Sequence, residues 1–269
     1  MRKLFFVFSI VISSVFYAQN ITFEYELKFK PNPDKNSFEI DVYYLDVLGQ
    51  QSVFRSQKDR RSDSLTERTG YGLGIMPIFD NQLYVQKNLV KKLITKNIIR
   101  SSFNDKYSIT INESLDWKLS ADKMTINEID CQKAEVSYGG RNWTAWFAQS
   151  IPLQEGPYVF NGLPGLIVKI SDDKDEYDFT LVRIKNSNKN NMFALRNGKE
   201  ISWQDFQKIR MDYYQDPFAE VKARNIKVQA GDANGNPVEM NFKQLTETIQ
   251  KQIRENNNPI ELNHKVDYK

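Results

Sequence analysis

Apolar and polar residues alternate with a period of two along much of the chain up to residue 185. From Ile21 to Phe29 every second residue is apolar, and the residues between them are Thr, Glu or Lys. This pattern predicts an amphipathic strand with one face in the core and one in water, as in an antiparallel sheet. Similar runs predict further strands at 37–48, 52–56, 82–86, 89–95, 97–103, 106–112, 115–119, 129–138, 142–149, 166–171 and 176–185.

The spacing becomes helical after residue 200. Ser202, with Asp205 three residues later as an approximate capping box, is predicted to begin a helix that ends at Asp216. Asn241 opens a second helix, in which apolar residues recur at spacing four up to Ile253. The charged segment 58–69 is interpreted as a solvated loop or a short helix. The predicted fold is mainly β (α+β): one curved, half-barrel-like antiparallel sheet with two C-terminal helices.

The N-terminus has the three regions of a secretory signal peptide. Arg2 and Lys3 are followed by an apolar run at 4–17, interrupted only by serines, and then by Ala18 and Gln19. The run is shorter than the roughly 20 residues that span a membrane. We expect cleavage after Ala18 or Gln19, a signal peptide at 1–18 and one domain at 19–269. The mature chain is expected to be periplasmic or associated with the outer membrane, and not to span it.

Composition excludes several classes of site. The net charge of +3 falls to +1 when Arg2 and Lys3 leave with the signal, which argues against a nucleic-acid binder. One His and one Cys cannot form a His₃ or Cys₄ metal site or an internal disulfide, and no metal or cofactor is predicted. We interpret His264 as a surface residue of a poorly ordered tail and Cys131 as a buried small side chain, and we assign no catalytic residue.

Acidic segments give no specific signal. The stretch 232–237 resembles a calcium loop, but Pro237 stands where glycine is needed and Lys243 where the bidentate Glu is needed, so we expect a plain loop. With 34 acidic residues some pair will always be close, and none is singled out by its position. A glycosidase-like pair of carboxylates therefore stays an open alternative.

The segment 140–168 stands out because it is apolar and sharply bent. Pro164 would preset the second position of a type II turn and Gly165 would supply the positive φ of the third. Two interpretations remain open: a core plug that packs leucines against tryptophans, or an exposed apolar knuckle that docks in a partner or closes a cavity. The residues predicted to bind are Arg141, Trp143, Trp146, Leu163, Pro164, Gly165 and Leu166.

Residues 162–167 spell GLPGLI, and the chain resembles the GLPGLI family of Bacteroidota. The segments DCQKA at 130–134 and NNPIEL at 257–262 are similar to that family in the same order, although Phe147 stands where the family often has Tyr. The resemblance implies an exported envelope protein of Gram-negative bacteria, frequently encoded near TonB-dependent outer-membrane receptors. It supplies no catalytic residue.

Three functions are therefore considered. The first is a non-enzymatic periplasmic accessory or binding protein that acts with an outer-membrane partner such as a TonB-dependent receptor. The second is a half-barrel carrier that holds a lipid or other apolar ligand beneath the C-terminal helices. The third is a carboxylate-dependent hydrolase of envelope polymers.

Overall fold

A computed structural model describes residues 20–73, 82–100, 105–187, 191–192, 195–226, 230–231, 237–238 and 241–269. One sheet of twelve strands carries the fold of these residues. Its strands are β1 (Asn20–Phe29), β2 (Glu39–Leu48), β3 (Gln51–Ser56), β4 (Tyr84–Asn88), β5 (Leu93–Arg100), β6 (Asp105–Thr110), β7 (Lys118–Ile126), β8 (Ile129–Tyr138), β9 (Arg141–Ala148), β10 (Leu166–Asp172), β11 (Tyr177–Ser187) and β12 (Lys199–Glu200). The other elements are α1 (Gln57–Thr69), α2 (Trp203–Gln215), α3 (Ala219–Ala223), the short ribbon β13 (Ala230–Gly231) and β14 (Pro237–Val238), α4 (Phe242–Glu255) and a 3-10 turn (Leu262–His264).

The strand order is β12-β6-β5-β4-β3-β2-β1-β11-β10-β9-β8-β7, so the sheet is open and has β12 and β7 as its edges. All neighbours are antiparallel except β12 and β6. The sheet curves around the segment 149–165: Lys87 of β4 donates a hydrogen bond to the Gly156 carbonyl at 2.7 Å. These features confirm the predicted mainly β fold with one curved, mostly antiparallel sheet.

The core follows from the alternation on the central strands. Phe23, Tyr25 and Leu27 of β1 are at most 1% exposed, because their side chains point to the concave face. Tyr25 also donates a hydrogen bond to the Ile167 carbonyl at 2.6 Å, which ties the centre of the sheet to β10. The period-two prediction for this strand is confirmed from Phe23 to Phe29, whereas Thr22 on the polar face is 3% exposed and donates a hydrogen bond to buried Asp46.

The predicted helix caps are also confirmed. Ser202 accepts a hydrogen bond from the Asp205 backbone N–H and completes a capping box at α2, which ends before Asp216. Asn241 caps α4 through the Gln244 backbone N–H. The charged segment 58–69, left open between loop and helix, is the greater part of α1. Among the described residues, no helix has the length and apolar character needed to cross a membrane.

Three strand predictions need correction. The segments 89–95 and 97–103 were expected to be separate strands, but Leu89 and Lys92 close a turn and β5 follows as one strand. Lys92 has a φ of 49°, which breaks the extended conformation there. The strand expected at 115–119 instead begins at Lys118 and runs to Ile126. The signal peptide, the end of the segment 97–103 and the loop residues 232–236 lie outside the described residues.

Candidate functional site

The leucines of the hexapeptide at 162–167 lie inside the curved sheet, whereas Gly162 and Pro164 are exposed. Leu163 and Leu166 are at most 1% exposed, as is Trp143. Phe160, just before the hexapeptide, packs on Trp143 with ring centroids 4.7 Å apart. The structure therefore shows the core-plug arrangement for these side chains, since their apolar surface is already covered by the chain itself.

The predicted turn at Pro164 and Gly165 is wrong. The positive φ of this segment falls at Gly162, with a value of 91°, and Gly165 instead donates its N–H to the Leu163 carbonyl at 2.8 Å. A Cβ at position 165 would lie 2.2 Å from the Ala148 carbonyl oxygen. Glycine is required here because two backbones approach closely, and not because of its φ.

Arg141 is buried, and its guanidinium group binds the C-terminal tail. Its Nη1 atom lies 2.7 Å from Asp172 Oδ2 and 2.6 Å from Glu176 Oε2. Its Nη2 donates to Asn258 Oδ1 at 2.6 Å and its Nε to the Ile260 carbonyl at 3.1 Å. The fork of five guanidinium donors suits this role, because it can bind several acceptors at once. In this structure, Arg141 therefore binds residues of its own chain.

Glu261 lies at the centre of a second buried cluster. Lys96 Nζ is 3.0 Å from its Oε2, Tyr138 donates to its Oε1 at 3.0 Å, and Tyr158 donates to the same oxygen. Burial alone would raise the pKa of Glu261, but the charge of Lys96 and the hydrogen bonds from the two tyrosines outweigh it and hold the pKa below its ordinary value. The lowered pKa favours the ionised carboxylate, which anchors the tail through Lys96 and the two tyrosines.

His264 is ordered, contrary to the expectation of a loose tail. Its ring stacks on Trp203 with centroids 4.3 Å apart and planes 9° apart, and its Nε2 lies 3.7 Å from Glu113 Oε1. Burial lowers the pKa of His264, against the opposing charge of Glu113. The space between this stack and Glu261 is about 10 Å³, which has room for at most one water molecule. The local sequence pattern does not predict this packing, because Trp203 and Glu113 are distant from His264 along the chain.

The other buried acids also lie beside a Lys or Arg side chain, although not all of them are hydrogen-bonded to it. Arg55 contacts both Asp46 and Asp63 at 2.9 Å. Lys87 Nζ lies 2.6 Å from Glu155 Oε2, although the contact lacks hydrogen-bond geometry and both carboxylate oxygens are without a hydrogen bond. Burial lowers the pKa of Lys87, and Glu155 opposes that effect. Each buried acid of the described residues thus lies within 3.0 Å of a Lys or Arg nitrogen: Asp46, Asp63, Glu155, Asp172, Glu176 and Glu261.

Trp146 and Pro164 are the predicted residues that reach the surface. The register of β9 places Trp146 on the face opposite Trp143, between its cross-strand partners Lys133 of β8 and Lys169 of β10. Trp146 is half-buried and Pro164 is exposed. The binding role of the seven residues stays a prediction, but only these two present side chains to solvent without a change of fold.

Two larger spaces open at the surface of the described residues. A polar groove of about 430 Å³ runs along the outer face of β8 and β9, where Glu135, Ser137, Asn142 and Thr144 line it. A second space of about 610 Å³, the mouth pocket, lies at one end of the curved sheet. It is lined on its apolar side by Ile129, Cys131, Phe147, Ile151 and Ile184.

Cys131 behaves as expected for a buried small side chain. It is 3% exposed, and burial with the nearby charge of Asp130 raises the pKa of its thiol to about 11. At neutral pH the thiol is protonated and a poor nucleophile. The structure therefore gives Cys131 a packing role beside the mouth pocket.

Residues 95–169 match a family model described as "Protein of unknown function (Porph_ging)". The match covers less than half of the chain and includes the hexapeptide at 162–167, while membership of the GLPGLI family stays a prediction. No curated protein matches the chain.

The fold is similar to that of a solved structure of PNGF-II in the C2 space group, with a TM-score of 0.51 and 12% sequence identity. The similarity covers 71% of this chain and 32% of that chain, so this chain spans about a third of the protein it matches. The P21 form of PNGF-II gives a TM-score of 0.49 at 12% identity, over 71% of this chain and 33% of that chain. At this identity the likeness shows the fold alone.

Proposed function

We propose that this chain is an exported, non-enzymatic accessory protein of the cell envelope that binds an outer-membrane partner, such as a TonB-dependent receptor. Export is supported by the charged and apolar regions of residues 1–18, and the partner class by the resemblance carried by the hexapeptide and its flanking segments. The periplasm, or the inner side of the outer membrane, is the proposed location.

The observation that carries the non-enzymatic proposal is the pairing of the buried acids. A catalytic acid or base works best when its pKa lies near the operating pH, and burial beside a like charge or in an apolar pocket is what raises a carboxyl group to that range. Here Lys96 and its neighbours move the pKa of Glu261 the other way. Asp172 and Glu176 both contact Arg141, so their charges are also compensated. This arrangement disfavours a hydrolase that uses one of these buried acids as its acid or base.

Trp146 is the proposed contact residue for the partner. It is a large aromatic side chain on a rigid strand, half-buried, with a lysine on each neighbouring strand. Tryptophan is the residue type most often found among the energetic hot spots of protein interfaces. Pro164 lies on an exposed bend and would extend the same docking function from a second point.

Affinity capture from envelope extracts tests this proposal. Tagged mature protein is expected to retain one or a few outer-membrane proteins, and Trp146→Ala to reduce their recovery by about tenfold or more, the loss typical of an interface hot spot. Ile40→Ala is the matched control, since Ile40 is 63% exposed on β2, four strands away from β9 in the sheet. A chain that stays monomeric and retains no partner would contradict the proposal.

Intact mass of the secreted chain tests export and reports whether cleavage follows Ala18 or Gln19.

An apolar-ligand carrier is a second candidate, but at a different place from the one expected from sequence. The space beneath the C-terminal helices is filled by the tail, where Ile260 is 1% and Glu261 3% exposed. The mouth pocket is the observation that favours a carrier.

A further inference from the structure

We infer that the mouth pocket binds one small amphipathic molecule, with an alkyl chain or aromatic ring against the pocket floor and an uncharged polar end at the rim. This inference rests on the carrier candidate and gives it a site and a ligand class. It is independent of the proposed protein partner, which is assigned to Trp146 on the opposite face of the sheet.

The size of the pocket and its anchored walls fit a small molecule. Its volume of about 610 Å³ lies within the range of about 300–1,000 Å³ that is usual for small-ligand sites. Its walls come from three parts of the chain: the β7–β8 hairpin, the turn at 149–151 and strand β11. The Asn127 side chain donates a hydrogen bond to the Leu181 carbonyl at 2.9 Å and so fixes the hairpin against β11. A pocket with anchored walls needs little reorganisation to bind.

The floor of the pocket leaves apolar surface without a cover. Ile184 of β11 pairs with Phe23, whose side chain is fully buried on the concave face, so Ile184 belongs to the same apolar side of the sheet. Yet Ile184 is 42% exposed. Phe147 is fully buried beneath the pocket, and burial already raises the pKa of the adjoining Cys131 thiol. An apolar ligand would therefore remove Ile184 from water and extend the existing core.

The charged and amide side chains at the rim of the mouth pocket determine which polar end of a ligand fits there. Lys123, Glu128 and Asp130 place charges of both signs around the opening. Gln149 and Gln132 join their amides there at 3.1 Å and offer remaining donors and acceptors. Such a rim favours a hydroxyl, amide or ester end and does not favour a strongly charged headgroup of either sign.

A titration of the full mature chain with N-phenyl-1-naphthylamine, an uncharged apolar fluorophore, tests the inference. We expect saturable binding of one molecule per chain with a rise in probe fluorescence. Ile184→Glu should weaken binding by about tenfold or more, because it replaces an apolar contact by a charge. Ile151→Glu, at the turn 149–151 that also lines the pocket, should have a similar effect. Ile40→Glu is the control, since Ile40 is 63% exposed and pairs with Lys28 far from the pocket, and it should bind the probe as wild type does.

The outcomes of probe binding and partner capture test the pocket and the protein partner separately. Absence of saturable binding, or equal affinity in wild type and Ile184→Glu, overturns the inference. If Ile184→Glu does not fold, as judged by circular dichroism, Ile184→Thr replaces it and should still weaken binding several-fold. Loss of probe binding with retained partner capture in Ile184→Glu separates the pocket from the protein partner. Retained probe binding with no captured partner contradicts only the partner proposal.

Discussion

Replacement of Lys96 by methionine should destabilise the protein and reverse the pH dependence that Glu261 gives to folding. Lys96 is the cation of the buried cluster, with its Nζ 3.0 Å from Glu261 Oε2, and the side chains are 6% and 3% exposed. Methionine keeps the length and apolar stem of lysine but leaves the carboxylate with only the tyrosine hydroxyls. Removal of one partner from a buried ion pair typically costs about 3–5 kcal/mol. For a domain of this size, such a loss lowers the melting temperature by roughly 6–20 °C.

The contribution of Glu261 to folding stability should change with pH in opposite directions in wild type and in Lys96→Met. In wild type the pKa of Glu261 is lower in the folded chain than its unfolded value near 4.5. Its contribution to stability is therefore complete above pH 4.5 and is lost as pH falls through the lowered pKa. Without Lys96, burial is no longer offset and the pKa in the folded chain rises above the unfolded value. The variant should then gain stability relative to wild type as pH falls from neutral to about 5.

Urea denaturation followed by tryptophan fluorescence at pH 7.5 and pH 5.0 measures both effects. The double variant Lys96→Met with Glu261→Gln is the matched control, because it removes the unpaired charge together with its partner. It should recover more than half of the lost stability and show no reversed pH dependence. A loss below about 1 kcal/mol in Lys96→Met, or a pH dependence like that of wild type, would refute the view that Glu261 is a buried charge anchored by Lys96.

Two further substitutions test the packing of the hexapeptide and the tail. Gly165→Ala should destabilise by about 3 kcal/mol or more, since its Cβ would lie 2.2 Å from the Ala148 carbonyl oxygen. Gly49→Ala is the comparison, because Gly49 has a φ of 59° but nothing within 4 Å of the added Cβ, and urea denaturation should show a cost of only about 1 kcal/mol. Arg141→Lys keeps the charge but cannot bind the tail at several acceptors, so limited proteolysis should remove the residues after α4 faster than in wild type. Equal losses at the two glycines, or unchanged proteolysis of Arg141→Lys, would contradict these assignments.

The elements that local pattern could predict are those whose environment is local. Strand β1 has one buried face from Phe23 to Phe29, and Glu26 and Lys28 between these residues are exposed, so the difference appears directly as alternation. The start of α2 is equally readable, because Ser202 and Asp205 cap it within one turn. Strand β7 could not be placed correctly, since it is an edge strand whose residues are mostly exposed on both faces, and exposure on both faces removes the alternation.

The clusters at the tail depend on contacts that no local pattern contains. Glu261 is 165 residues from Lys96, 123 from Tyr138 and 103 from Tyr158 along the chain. A carboxylate in a polar tail therefore looks solvated until the topology brings those donors together. Gly165 illustrates the same limit: a Pro–Gly pair predicts a turn by its φ preferences, whereas the constraint comes from the neighbouring strand end at Ala148.

The hexapeptide at 162–167 is the most recognisable segment of the sequence, and its packing within the chain accounts for its unusual residues. Leu163 and Leu166 are buried, Gly165 is fixed by a backbone contact, and Arg141 is used by the tail, so the segment's special residues are satisfied within the chain. A residue whose interactions are complete in the free protein gains little from a partner, because binding would first have to break them. Side chains that keep exposed surface are better candidates: Ile184 is 42% exposed at the mouth pocket, and Trp146 is partly exposed on the outer face although it also packs against the core. On the proposed function, the hexapeptide would act indirectly, because it packs against the end of β9 and pairs with it through β10.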